Sequence, residues 1–191
     1  QRMIDNIPDG CLLILDEAYI ELAPENTAPP FDINAKNVIR FRTFSKAYGM
    51  AGARVGYGIT HQDLIKSFDK IRNHFGVSVL GQHAALAAAL DQEYLSEIQT
   101  AVAKGRDRIT QIAAENGLKT VPSATNFVAV DCGGDGDYAR RVLDALTQLG
   151  IFARMPFVAP QDRCIRVSVG IPEDIEKFAQ ALPKALEMVC D

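Results

Sequence analysis

Metal-ligand spacing is missing from this sequence. Its four cysteines, Cys11, Cys132, Cys164 and Cys190, are widely scattered. None forms the C-x-x-C pair of a zinc site. They read as reduced thiols of a cytoplasmic protein, since disulfides persist in oxidising compartments. His61, His74 and His83 fit neither a metal site nor a nucleophile triad and read as structural or surface residues. No apolar run approaches the ~20 residues that cross a bilayer, and no basic-then-apolar leader opens the chain. Charge of one sign is also lacking: 20 Lys and Arg against 24 Asp and Glu leave a net charge of -4. Nothing therefore points to nucleic acid or to a membrane surface. Repeats and low-complexity segments are absent. What is present is ordinary globular composition, 48% hydrophobic and 23% charged over 191 residues, enough for one good core or two small ones. The chain opens on Gln1-Arg2-Met3-Ile4-Asp5 rather than an initiator methionine. This reads as the end of a helix, and the expectation is the C-terminal part of a longer protein.

The hydrophobic pattern is that of an α/β protein. Residues 11–16 form a continuous apolar run, expected as a strand buried on both faces. A Pro-, Asn- and Ala-rich loop covers roughly 22–36. Further strands are expected at 38–42 and 54–59, the latter weakened by Gly56 and Gly58. Leu64, Ile65, Phe68, Ile71, Arg72 and Phe75 then recur at helical spacing. A long helix is expected from about Leu80 to Glu115, with Gly105 marking a bend or a close contact and Asn116-Gly117 the stop. After it come a strand at 126–130, a helix at 137–149 and short strands at 151–154 and 164–169. Pro172 opens a last helix that Pro183 should kink. The organisation is thus a sheet-domain fragment over 1–80, then a connecting helix and a small α/β domain over 81–191.

The chemistry concentrates at two strand ends. Thr43-Phe44-Ser45-Lys46-Ala47-Tyr48-Gly49-Met50-Ala51-Gly52-Ala53-Arg54 joins a lysine, hydroxyls and an arginine. That set suits a phosphorylated aldehyde cofactor: an amine for its carbonyl and donors for its phosphate. Free lysine titrates at about 10.4, so such an amine needs desolvation or cationic neighbours. The competing reading is a solvated surface lysine. Arg54 offers a planar fork that matches phosphate, or else an ion pair at a sheet edge. Ser45 and Thr43 add hydroxyls on one side of an extended segment. Gly49, Gly52 and Gly56 allow backbone approach to an anion but match neither G-x-G-x-x-G nor a P-loop. Asp16 ends an apolar strand, where a lone carboxylate is costly; a protonated pyridine nitrogen would answer it, and a loop cap is the alternative. Tyr19 could hydrogen-bond a ring oxygen, while Glu17 faces solvent or makes a structural contact. Later, Arg166 could hold a substrate carboxylate, with an edge-strand surface arginine as the alternative. Arg154 is a weaker candidate for a second anionic group. Asn126 lines the site or caps a strand.

D-E-A-Y (16–19) followed by T-F-S-K-A-Y-G-M-A-G-A-R-V-G-Y (43–57) resembles the fold-type-I aminotransferases of class I/II that use pyridoxal 5'-phosphate (PLP). The histidinol-phosphate aminotransferase branch is the nearest in pattern. The motifs span 11–59, and the later long helix and R-V-S-V-G extend the likeness over nearly the whole chain. The resemblance implies the C-terminal part of a PLP-transferase fold: a partial, mostly parallel sheet, a connecting helix and a small α/β domain. It implies that Lys46 carries the cofactor, Asp16 pairs with the pyridine nitrogen and Tyr19 with the ring oxygen. Ser45 and Arg54, with Thr43 as helper, would bind the phosphate, and Arg166 the substrate α-carboxylate. It also implies a homodimer acting on amino acid or amino-alcohol phosphate and 2-oxo acid. The family's N-terminal elements, including a ring-stacking aromatic, have no counterpart here. Decarboxylation or elimination on the same fold, or a truncated inactive domain, are the competing functions; fold alone does not decide among them.

Overall fold

Strand β1 (Leu13–Asp16) pairs in parallel with β2 (Val38–Thr43), and β3 (Gly56–Thr60) adds antiparallel to the far side of β2. They belong to the first of two compact units, Gln1–Gln99 and Thr100–Asp191, in a computed structural model that describes residues 1–190. Central β2 is the buried strand, with Val38, Ile39 and Arg40 all inside. β1 is not buried on both faces: Ile14 is 59% exposed. It is an edge strand, and Ile14 stays exposed although its register partner Ile39 on β2 is buried.

Helix α1 (Gln62–Phe68) is capped by His61, whose Nδ1 accepts from the Asp63 amide at 3.2 Å. The helical spacing continues to Phe75, but the helix ends at Phe68. Ile71 and Phe75 are 83% and 93% exposed, so the apolar stripe has no surface here to pay for more turns. The expected long helix is two helices, α2 (Val79–Leu90) and α3 (Gln92–Glu115). Asp91 separates them, and its carboxylate accepts from the Tyr94 amide at 3.0 Å. An aspartate favours such an N-terminal cap over a helix interior. Gly81 lets α2 settle on the 53–55 segment: a Cβ there would stand 3.0 Å from Val55 Cγ2.

The second unit packs the C-terminal half of α3, α4 (Gly136–Gln148) and α5 (Pro172–Val189) with an antiparallel sheet. The sheet runs β4 (Lys119–Val121), β5 (Phe127–Asp131), β6 (Cys164–Ser168). Val128 and Val130 alternate inward on β5 and meet Ile109, Ile112, Val142, Leu146, Ile165 and Leu182. Each such side chain contributes about 1.5–3 kcal/mol by leaving water. Gly117, at φ +73°, ends α3, and the Leu118 amide returns to the Ala113 carbonyl at 2.9 Å. That reversal starts β4, a strand the sequence pattern did not announce. Residues 151–154 form no strand, only a single bridge between Arg154 and Arg166. Helix α5 runs through Pro183. At Gly105 the close-contact alternative holds, since α3 meets Val169 and Ile175 there.

Candidate active site

Because β1 and β2 are parallel neighbours with Asp16 opposite Phe41, their C-terminal ends lie side by side. Ligands of open α/β sheets bind outside such ends. Asp16 ends β1, with Glu17 and Tyr19 just after it; Thr43 ends β2, with Ser45 and Lys46 just after it.

The segment after β2 closes on itself. The Phe44 amide donates to the Val55 carbonyl at 3.1 Å, and the Met50 amide to the Phe44 carbonyl at 2.9 Å. Gly49 takes φ +66° in the turn whose amide returns to the Lys46 carbonyl at 3.0 Å. Phe44 and Ala47 are buried and anchor the loop, with Phe44 packed on Tyr48 and Tyr57 at 4.8 and 5.9 Å between centroids. Ser45 and Lys46 are left half-buried. The Lys46 ammonium stands 5.0 Å from the centre of the Tyr19 ring and makes no ion pair among the described residues. Thr43 and Ser45 hydroxyls are 2.8 Å apart, and the Thr43 Oγ1 also accepts from the Ser45 amide at 3.0 Å. Gly56 permits the return strand: a Cβ would lie 2.8 Å from the Arg42 carbonyl oxygen.

Arg54 is exposed and left-handed, φ 55° and ψ 47°. A non-glycine residue rarely sits there, and such strain clusters at functional sites. Its Nη1 donates to the Ala51 carbonyl at 2.8 Å. Asp16 is exposed rather than buried, and its Oδ1 accepts from the Ala18 amide at 3.0 Å. The buried acid is its neighbour. Glu17 does not face solvent; it is 8% exposed and pairs with Arg40 at 3.3 Å and Arg42 at 2.9 Å.

These two arginines were missed from the sequence. Their signal was legible: Arg40 and Arg42, two apart on a strand, share a face, and buried cations demand an acid. Burial lowers the Arg42 guanidinium, but the hydrogen bond and charge of Glu17 outweigh it and leave it raised. Glu21 stands by this cluster. Burial raises its carboxyl, against a backbone hydrogen bond and Arg42, and its Oε2 is buried without a hydrogen-bond partner among the described residues. Burial and the charge of Glu21 also raise Tyr48.

In the second unit, Arg154 and Arg166 are bridge partners, with the Arg154 amide donating to the Arg166 carbonyl at 3.2 Å. Arg166 lies 4.8 Å over the Phe127 ring, and Arg154 lies 5.9 Å from the Phe152 ring. Both line a cavity of about 600 Å³ with Arg140, Leu143, Met155 and Phe157. The Asn126 carbonyl accepts from the Val169 amide at 2.8 Å.

Residues 1–182 match the family described as aminotransferase class I and II. The chain is 40% identical over 186 residues to histidinol-phosphate aminotransferase 2 of Ralstonia nicotianae, covering 94% of this chain and 49% of that protein. It is 35% identical over 187 residues to histidinol-phosphate aminotransferase of a Geobacillus species, covering 96% and 50%. The crystal structure of histidinol-phosphate aminotransferase from Sinorhizobium meliloti in complex with pyridoxal-5'-phosphate superposes with a TM-score of 0.95 at 50% identity. That likeness covers 99% of this chain and 53% of the other. The chain therefore spans about half the length of the relatives it matches.

Proposed function

We propose, from the premise that this chain belongs to the aminotransferase class I and II family, that the whole protein is a PLP-dependent aminotransferase. Its substrates would be an amino acid or amino-alcohol phosphate of the histidinol-phosphate kind and a 2-oxo acid. The observation that carries this reading is Lys46 beside Tyr19, 5.0 Å from its ring centre, on a loop that also bears the Thr43–Ser45 hydroxyl pair. The donor set fits PLP: a primary amine, two hydroxyls, an exposed guanidinium and an exposed carboxylate at neighbouring strand ends.

When bound, PLP supplies an aldehyde and a ring that accepts electrons from the substrate α-carbon. Lys46 would hold the aldehyde carbon through Nζ. Freed by the incoming amine, Nζ would take the proton at the substrate α-carbon, as general base. Asp16 would keep a proton on the pyridine nitrogen, and the Tyr19 hydroxyl would orient the ring oxygen. Arg54 and Ser45, with Thr43, would bind the phosphate through charge-assisted bonds. Arg166, and for a second anionic group Arg154, would bind the substrate. A functional division at 1–80 and 81–191 would separate cofactor-binding from small-domain roles. Decarboxylase and lyase readings have less support, because the named relatives are aminotransferases.

The reading extends to a cytoplasmic homodimer. Four free cysteines accord with a reducing compartment. Exposed Val79, Leu80, Leu86 and Leu90 on α2 accord with a partner surface. No helix among the described residues is long and apolar enough to cross a membrane. The test is Lys46→Ala in the full-length protein. It should abolish the visible absorption of bound PLP and amino transfer to 2-oxoglutarate; retention of either counts against the assignment. Release of gas or ammonia without amino transfer would favour the decarboxylase or lyase instead.

A further inference from the structure

We propose that Glu17 is a positioning residue, whose buried carboxylate locks the end of β1 to the end of β2 and so sets Asp16 and Tyr19 against Lys46. The inference rests on the roles given above to those three residues.

Glu17 is gripped from one side of the neighbouring strand. Its Oε1 is 3.3 Å from Arg40 Nη1 and its Oε2 is 2.9 Å from Arg42 Nε. Arg40 is only 2% exposed and also donates to the carbonyls of Pro29 and Pro30 at 2.8 and 3.2 Å. One guanidinium thus joins β1, β2 and the loop between them. The backbone agrees: the Glu17 amide donates to the Phe41 carbonyl at 2.8 Å, and the Glu17 carbonyl accepts from the Ile20 amide at 3.1 Å. That second bond shapes the turn that holds Tyr19 over Lys46.

Stability alone is a poor reason for such a cluster. A buried ion pair roughly breaks even against apolar residues of the same volume. Register is the better reason. A one-residue slip of β1 would turn Glu17 to the other face. Two arginines would lose their acid, and Asp16 and Tyr19 would shift one step out of register with Lys46. The charge cluster therefore penalises the one error that would disassemble the site.

The test uses the full-length holoenzyme with Glu17→Gln, Arg42→Lys and, as a purely structural control in the same sheet, Val38→Ala. Val38 is 4% exposed and lies opposite Leu13. Three quantities are read: melting temperature without PLP, affinity for PLP, and induced visible circular dichroism per bound PLP. Glu17→Gln should weaken PLP affinity about tenfold and remove about half of the induced signal, beyond Val38→Ala at a matched melting loss. Arg42→Lys keeps the charge without the planar fork. It should show the same changes at about threefold, and it decides the question if Glu17→Gln does not fold. The proposal is overturned if the variants that fold track Val38→Ala in both affinity and induced signal. Lys46→Ala separates the two levels: covalent fixation of PLP by borohydride in that variant would sink the reading of Lys46, whatever Glu17 does.

Discussion

Replacing Gly105 with alanine should destabilise the protein, although the same change on an open helix face stabilises. Gly105 is buried inside α3. An added Cβ would run into Val169 Cγ1 and stand 3.3 Å from Ile175 Cδ1. Alanine gains about 1 kcal/mol over glycine in a helix from backbone entropy. Overpacking costs about 1–3 kcal/mol. The obstructing side chain is a valine, stiff at χ1, so it does not swing clear cheaply. The sum is a net loss of roughly 1 kcal/mol, or ~2–4 °C in melting temperature. Thermal and urea unfolding followed by circular dichroism would measure it. The double change Gly105→Ala with Val169→Ala removes the obstruction. It should recover the helix gain and give a coupling of about 2 kcal/mol in the mutant cycle, the overpacking cost removed. A Gly105→Ala protein more stable than its parent would refute the packing argument.

Three further outcomes follow from the same geometry. Arg54→Gly relieves a left-handed residue at φ 55°; it should raise stability without PLP by roughly half a kcal/mol while weakening PLP binding, and a fall in both would discard the strain argument. Glu21→Gln should stabilise at neutral pH, because burial raises the native carboxyl above its ordinary 4.5. The native state holds that proton more tightly, so the benefit of the protonated acid is complete below 4.5 and is lost as pH rises through the higher native value. The advantage of Glu21→Gln should therefore shrink as melts are taken from neutral toward pH 4.5; an advantage constant with pH rejects the explanation. For the thiols, exposed Cys11 and Cys190 should label quickly at mild alkaline pH. Cys132, pushed up to about 11 by burial, and buried Cys164 should label only on unfolding. Equal rates for all would contradict the packing of β5 and β6.

Some of this is legible in the sequence alone. The lysine, hydroxyls and arginine stand within one short string, so their chemistry is a local property. Helix signals were equally local: Pro172 at the start of α5, and Asn116-Gly117 after α3. The inward alternation of Val128 and Val130 is likewise carried by the period of an extended chain. Periodicity misled where packing was required to act on it. The apolar stripe to Phe75 predicted more helix than α1 contains, and Ile14 predicted burial that its edge strand does not receive.

What residues 43–54 determined alone was which functional groups are present and how closely they follow one another. The tertiary structure decided which acid is buried. Asp16 and Glu17 are adjacent in the chain, yet one is exposed and the other is enclosed by arginines from β2. That choice depends on partners more than twenty positions away, brought alongside by strand pairing. A carboxylate's surroundings are set by neighbours in space, and a chain lists only its neighbours in order.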